Sequence, residues 1–519
     1  MYAMLKQQEL YQDLNARLII IGIISSMGAM GFGFDNGWWG SALGLTRFQH
    51  KYGSYNTSTT KWAIPSEKTS VGTGTGSAGI ILGCIMAPFV TTILGRKKSF
   101  LVLSGLMVIG VIVEVTALTS FWQLVVGRIT VYSGIGLASN LVPMYQSECA
   151  PPRVRGKSAY LALYSFFNSF GVFMSTLTVF LSRHRSDEWQ YRVVILCQLF
   201  VPMVYLSAYA FLPESPRYLV YKGRLEEAEK VMRSLYNHTE TISEEVQLLR
   251  LQVEEQQELH KATSVMDCFK GTNLRRTICA MGVQILQQAQ GVSFIQNFIV
   301  VFMQQLGFSD SLRSNVLVTG CGFAVHIVTF LTFDKMGRRL SMMIGAFGMA
   351  AMMLGVGGTT AKGVKNLSTS AQNGCVTMLV LWYCIYGITW GPGTWVVAAE
   401  VGTGQLRERT LFLASMGSFV TSVPINFVNP YVQKAINGSV TFIYGGFSLV
   451  AILFIWFVLP ETKGRSLEEL DEMFQAKLKT REFKSYVCTG LGARITKLEA
   501  GAEDEEDTEK SGISHEEKV

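Results

Sequence analysis

Charged side chains are scarce in this sequence. They account for 16% of its 519 residues, against roughly a quarter in soluble proteins, too few to cover a water-facing surface of that size. The nine cysteines show no repeated pair spacing of the kind a zinc site or a disulfide framework needs, and Cys84, Cys197, Cys279, Cys321 and Cys384 fall inside apolar stretches as packing residues. No Walker-type phosphate loop, Ser–His–Asp arrangement or metal-ligand spacing is found, which argues against ATP drive, enzymatic activity, a cofactor or a metal. The N-terminus, MYAMLKQQELYQDLNAR, lacks the basic-then-apolar layout of a cleaved signal, so the first apolar run is expected to act as its own insertion signal. The formal charge of +7 is spread over short loops, and nucleic acid is not expected as a partner.

What the sequence has in abundance is apolar residues, 49% of the chain, gathered in runs of about 20, each long enough to cross a bilayer core of about 30 Å. Spans are expected near 18–44, 69–93, 99–119, 122–146, 157–182 and 192–212, then 277–304, 314–333, 339–361, 375–399, 409–432 and 440–459. The expectation is an all-α membrane protein with twelve transmembrane helices in two six-helix halves. Its parts are a cytoplasmic N-terminus (1–17), a first half (18–212), a cytoplasmic helical linker (213–276) whose LEEAEKVMRSLY and SEEVQLLRLQVEEQQELHKA read as solvated helices, a second half (277–460), and a cytoplasmic tail (461–519). The acidic end of that tail, AGAEDEEDTEKSGISHEEKV, is expected to be disordered.

Arg96, Lys97, Lys98, Arg153, Arg155, Lys157, Lys335, Arg338, Arg339, Arg407 and Arg409 fall on one side, which the positive-inside rule makes cytoplasmic; Lys51, Lys61, Lys68, Arg183 and Arg185 run against the bias. Glycosylation sequons at Asn56, Asn366 and Asn437 land in loops on the other side, and Asn237 in the linker. An even span count puts both termini in the cytoplasm. ILGRKKS after span two is echoed by FDKMGRRLS after span eight, and PESPR after span six by PETKG after span twelve, so the halves read as related copies that hold substrate between them and rock around it.

The strings FGFDNGWWG, GRITVYSGIGLAS, VPMYQSECAPPRVRG, PESPRYL, QILQQAQG, DKMGRR, GPGTWVVAAE and PETKGRSLEELDEMF, in this order, resemble the sugar porters of the major facilitator superfamily, of the fungal type. The resemblance spans almost the whole membrane region. It implies a multi-pass, monomeric carrier in the plasma membrane, with a sugar-like substrate and protons as ligands and lipid as surroundings.

Asp35 in span one and Arg128 in span four lie inside apolar runs, where an ionised side chain costs about 2.5–3.5 kcal/mol on insertion scales. Burial favours the neutral form of a carboxylate and a guanidinium beside it favours the charged form, so a pair that opens and closes can take up and release a proton. In proton-coupled members the matching positions have this role; a static buried pair is the plainer alternative. For substrate, span seven offers Gln284, Gln287 and Gln288, of which Gln284 and Gln288 share a helical face; the family's sugar-binding glutamines match Gln287 and Gln288. Amides that join helices are the alternative. Trp395 matches a tryptophan at the mouth of the family site, on a helix that GPG at 391–393 should break.

The sequence departs from standard hexose carriers at Ser293, where the family has asparagine, at Asn297–Phe298 and at Ser418–Phe419; span five offers only Tyr164, Ser165 and Asn168. The expected pocket is therefore not that of a standard hexose carrier, and a disaccharide, a polyol, a sugar acid or a fungal metabolite could suit it. At the cytoplasmic helix ends, Arg96, Lys97, Glu148, Arg155, Asp334, Arg338, Arg339, Glu400 and Arg407 are expected to form an inner gate through salt bridges across the halves, though the first-half copy has Thr92 in place of Asp334. His326, a lone histidine in span eight, reads as a hydrogen-bonded packing residue, with proton relay as the alternative. Uptake by proton symport is the leading expectation; facilitated uniport, export by proton antiport and sugar sensing are the alternatives.

Overall fold

The computed structural model describes residues 15–56, 61–117, 120–150, 158–236, 242–308, 310–332, 336–361, 368–402, 406–463, 465 and 467–488. In lipid every backbone N–H and C=O must be satisfied within its own segment, so the apolar runs become helices. The first half holds α1 (Ala16–Ala42), a short α2 (Thr46–Tyr52) and a hairpin of β1 (Ser54–Asn56) and β2 (Lys61–Ala63), in which Tyr55 faces Trp62. It continues with α3 (Ser66–Leu94), α4 (Arg96–Val115), α5 (Phe121–Cys149) and α6 (Ser158–Ser182), and a sixth span divided into α7 (Trp189–Cys197) and α8 (Phe200–Ala208). Three helices follow, α9 (Pro216–Tyr221), α10 (Leu225–Leu235) and α11 (Ile242–Ala262). Caps set several starts: Asn15 accepts from the Arg17 amide, Ser120 from that of Gln123 and Ser215 from that of Tyr218.

The second half holds α12 (Gly271–Gln287), α13 (Ser293–Gln305), α14 (Ser311–Thr332), α15 (Arg338–Thr360), α16 (Thr369–Ile388), α17 (Trp390–Val401), α18 (Arg407–Ile436) and α19 (Val440–Phe457), and α20 (Leu467–Gln475) comes after it. Ten stretches are long and apolar enough to cross a membrane, and one of these, Arg407–Phe457, contains both α18 and α19. The seventh span, α12 with α13, adds the twelfth crossing among the described residues. A wide π turn over Gln288–Val292 interrupts it, with Gly291 at φ 110°, a value that only glycine adopts without strain. The tenth span breaks at Thr389, between α16 and α17, two residues before the expected GPG; Pro392 instead sits in the first turn of α17, where its missing N–H costs nothing.

Each half has its own apolar core. That of the first half includes Trp38, Phe100, Leu141 and Tyr205, and extends onto Ala228, Met232 and Val246 of α10 and α11. That of the second includes Phe294, Met349, Trp382 and Trp390, and takes in Leu470, Phe474, Phe483 and Cys488 beyond the last span, where Arg276 is also ion-paired with Asp471. Around the outside, Ile20, Phe89, Ile93, Phe211, Phe347 and Phe457 are exposed, as lipid-facing side chains of a membrane bundle should be. Within the first half α1 lies almost backbone to backbone on α6. A methyl group on Gly33 would fall 1.9 Å from the Asn168 carbonyl oxygen, and one on Gly37 would fall 2.1 Å from Ser175 Oγ. This close approach fixes the FGFDNGWWG stretch, and hence Asp35, against the rest of the half.

The two halves meet most closely at the end away from the basic loops. There Gln49 Nε2 donates to Gln304 Oε1 (3.1 Å), Gln304 Nε2 to the Gly44 carbonyl (3.0 Å), Asn315 Nδ2 to Ser41 Oγ (2.9 Å) and Asn426 Nδ2 to Ser77 Oγ (2.8 Å). Arg183 Nη1 clamps both oxygens of Asp310 at 3.0 and 2.9 Å. That end is shut.

Candidate coupling and substrate sites

Asp35 and Arg128 are brought together and are 1% and 0% exposed. Their ion pair is long, 3.7 Å between Arg128 Nη1 and Asp35 Oδ1, because each is held by other groups. The Trp38 indole donates to Asp35 Oδ1 at 2.7 Å, while Arg128 Nε donates to the Gly72 carbonyl (3.1 Å) and Nη2 to Tyr132 Oη (3.2 Å). The guanidinium also lies over the rings of Trp39 (4.1 Å), Tyr132 (5.0 Å) and Trp38 (5.2 Å). Asp35 Oδ2 and Arg128 Nη1 make no hydrogen bond among the described residues. A fully satisfied pair would be a static support; this one has one free oxygen and one free N–H with which to exchange partners.

A second buried acid completes this region, and the motif-based reading missed it. Glu114, on α4, is 1% exposed and accepts from Gln198 Nε2 at 2.9 Å. Its signal in the sequence is a lone carboxylate inside the apolar run VIGVIVEVTAL.

Span seven places its three glutamines in different surroundings. Gln287 Nε2 donates to the carbonyls of Trp390 (2.9 Å) and Gly391 (3.4 Å) and to Thr394 Oγ1 (2.8 Å), so its amide nitrogen ties α12 to the break in span ten. Gln288 is half-buried; its Nε2 donates to Ser418 Oγ (3.0 Å) and its Oε1 accepts from Ser293 Oγ (2.8 Å). The two serines that depart from the hexose-carrier pattern thus close on one glutamine. Gln284 is fully buried with neither amide atom bonded among the described residues. Asn297 Nδ2 is turned back to the Ser293 carbonyl at 3.1 Å, and Trp395, on α17, is half-buried. In the first half, Tyr164 and Asn140 are half-buried polar groups.

The charged set at the basic-loop end pairs differently from expectation. Arg96 makes a two-point bond to Glu148, Nε to Oε2 at 2.8 Å and Nη2 to Oε1 at 2.7 Å, within the first half. Arg338 donates to Glu400 Oε1 from Nε (3.2 Å) and Nη2 (3.0 Å), within the second. These bridges join helices of one half and do not cross between halves. The repeated PES and PET segments explain why. Glu214 accepts from the backbone amides of Arg96 (2.8 Å) and Lys97 (3.1 Å), and Glu461 from those of Arg338 (2.9 Å) and Arg339 (3.2 Å), so each acid caps the helix that carries the arginine. Lys97 lies over the Tyr209 ring at 4.8 Å, Arg339 Nη2 donates to the Trp456 carbonyl (2.9 Å) and Arg407 Nε to that of Ala399 (3.0 Å). Arg155 and Asp334 lie outside the described residues, as does the sequon at Asn366; the side chain of Asn56 does too. Asn437 is exposed at the turn between α18 and α19.

Two six-helix halves, broken spans at the centre and an ionisable pair buried in one half define a secondary transporter of the major facilitator fold. Residues 21–474 match the family described as "Sugar (and other) transporter", and the chain belongs to that family, which is one of carriers and not of enzymes. Among curated relatives it is 28% identical to the major facilitator-type transporter ecdD of Aspergillus rugulosus, over 93% of this chain and 92% of that one. It is 27% identical to the high-affinity glucose transporter ght2 of Schizosaccharomyces pombe, over 90% and 89%. Among solved structures, a partially occluded inward open conformation of the xylose transporter XylE from E. coli superposes with a TM-score of 0.72 at 20% identity, covering 87% of this chain and 100% of that one, and this likeness shows the fold.

Proposed function

We propose that this protein carries a sugar or sugar-like polyhydroxy compound into the cell by proton symport, working as a monomer in the plasma membrane with both termini in the cytoplasm. The observation that carries the reading is the loose Asp35–Arg128 pair: both groups are buried, they sit 3.7 Å apart, and one oxygen of the acid is unbonded. The positive-inside bias makes the basic-loop end cytoplasmic, so the structure is closed outside, while the Arg96–Glu148 and Arg338–Glu400 pairs at the inner end each lie within one half. Polar groups suited to hydroxyls, Gln284, Gln288, Ser293, Asn297 and Ser418, sit with Trp395 on α12, α13, α17 and α18, and Gln287 shapes the broken helix beside them. The similarity to a glucose transporter supports a sugar, and the serine substitutions around Gln288 favour a substrate other than a standard hexose. Arg96, Lys97, Glu148, Arg155, Asp334, Arg338, Arg339, Glu400 and Arg407 form an inner gate whose Arg96–Glu148 and Arg338–Glu400 pairs brace each half separately, and Asn56, Asn366 and Asn437 are available for glycosylation outside.

The test is uptake of a labelled panel of sugars, polyols and sugar acids into proteoliposomes with and without an inward proton gradient. Asp35→Asn is expected to abolish gradient-driven accumulation while keeping counterflow. Accumulation that survives in Asp35→Asn removes that residue from the proton path, and absence of saturable flux for every compound ends the sugar reading.

A further inference from the structure

The proton-coupling reading uses Asp35 and Arg128 and leaves Glu114 without a task, although an acid only 1% exposed within an apolar run is costly. Its surroundings say how it is accommodated. Glu114 projects from α4 against α5, where a methyl group on Gly127 would fall 2.6 Å from its Cγ, one residue before Arg128. Its charged and titratable neighbours are Asp35 from α1 and Arg128 and Tyr132 from α5, and the polar group facing it from the sixth span is Gln198.

One hydrogen bond joins the acid to the amide, from Gln198 Nε2 to Glu114 Oε2 at 2.9 Å. The two atoms left over, Glu114 Oε1 and Gln198 Oε1, are both buried and both without partners among the described residues. Both are acceptors when Glu114 is ionised, and neither can satisfy the other. A proton on Glu114 turns its free oxygen into a donor for the free amide oxygen, giving a reciprocal acid–amide pair with no unsatisfied atom. The charge count agrees: Arg128 supplies one positive charge and the two acids, both ionised, would supply two negative ones. In a dry site this cluster is neutral when it holds one proton.

We propose that Glu114 is the second proton-carrying carboxylate of the coupling site, paired with Gln198 and sharing the charge of Arg128 with Asp35. The proton released to the cytoplasm and the proton taken up outside then belong to the pair of acids, and rocking moves the charge balance between them. This role in the cycle rests on the proton-symport reading; the shared proton itself is testable without substrate.

The experiment is infrared difference spectroscopy of the purified, lipid-reconstituted protein across a pH titration, with Glu114→Gln, Asp35→Asn and Gln198→Leu. A protonated, buried carboxyl band should persist at neutral pH in the parent and vanish in Glu114→Gln. In Asp35→Asn, where Glu114 alone must balance Arg128, the midpoint of that band should fall by about one pH unit or more. Gln198→Leu, which leaves the acid in place and serves if Glu114→Gln does not assemble, should shift the band frequency by removing its amide partner. A parent spectrum without such a band at neutral pH, or a midpoint that is the same with Asp35 and with Asn at that position, overturns the proposal. Failure of gradient-driven uptake would instead overturn the symport reading and leave the infrared result standing.

Discussion

Gly40 is the position at which one methyl group should tilt the whole conformational cycle. It lies near the outer end of α1, where α1 crosses α13 of the other half. A carbon added there would fall 2.5 Å from the Gln296 carbonyl oxygen and 2.8 Å from both Cα and O of Asn297. Normal contact needs about 3.5 Å. The obstructing atoms are backbone and cannot swing away, so relief requires α1 and α13 to part by about 1 Å, which would also stretch the Gln49–Gln304 and Asn315–Ser41 bonds between the halves. Overpacking of this kind costs about 1–3 kcal/mol. The cost falls on the outward-closed state alone, since rocking separates these ends, and it corresponds to a shift of roughly 5–150-fold toward the outward-open state. Gly40→Ala should therefore lengthen the distance between spin labels on Thr46 and Arg313, both exposed on the outer side, as read by pulsed dipolar spectroscopy. Gly105→Ala, where an added carbon meets nothing within 4 Å, is the control. A label distance in Gly40→Ala that matches the parent would refute the argument that contact between these two backbones holds the outer side shut.

Three further outcomes follow from the same geometry. Gln287→Leu should lower thermal stability by about 1–3 kcal/mol, because it removes the amide's bonds to Thr394 and to the Trp390 carbonyl, which keeps the Thr394 hydroxyl as a donor, whereas Gln288→Ala should leave stability within about 1 kcal/mol and weaken substrate affinity; thermal unfolding and counterflow on the same samples separate the two. Breaking the outer clamp with Asp310→Asn should speed outer opening, and a double-mutant cycle with Arg183→Gln should show a coupling of about 0.2–1 kcal/mol, as for other partly exposed pairs; zero coupling would mean the clamp is only an incidental contact. Outside the membrane, the hydrogen bond from Lys51 together with the charge of Arg192 holds the Glu188 carboxyl below its usual range. Because the folded protein binds that proton less readily than the unfolded chain, the contribution is complete above about pH 4.3 and fades as the pH falls. A Glu188→Gln variant should accordingly be less stable than the parent at pH 7 and should approach it near pH 3.

How much the sequence determines depends on whether a residue acts through its own chemistry or through where it is placed. Lipid leaves a chain of apolar runs no choice but helices, so twelve spans follow from hydropathy, and the loop charges indicate their direction. Asp35 and Arg128 could be paired from sequence because an ion in an apolar run needs a counter-ion. The same logic applied to Glu114 would have found it, since it too is a charge in hydrocarbon, but no motif draws attention to it. Tertiary structure decided the rest. Gln287 and Gln288 are neighbours of one chemical type, and only their rotation about α12 sends one amide to the broken tenth span and the other to Ser293 and Ser418. The break itself moved from GPG to Thr389 because proline is tolerated in the first turn of a helix, which sequence alone does not locate. Arg96 and Arg338 were expected to reach across the halves. Instead Glu214 and Glu461, capping the helices on which these arginines begin, fix them beside Glu148 and Glu400 of their own half. Residue type and spacing state which groups need partners in a membrane; packing of helices distant in sequence decides which partner each one gets.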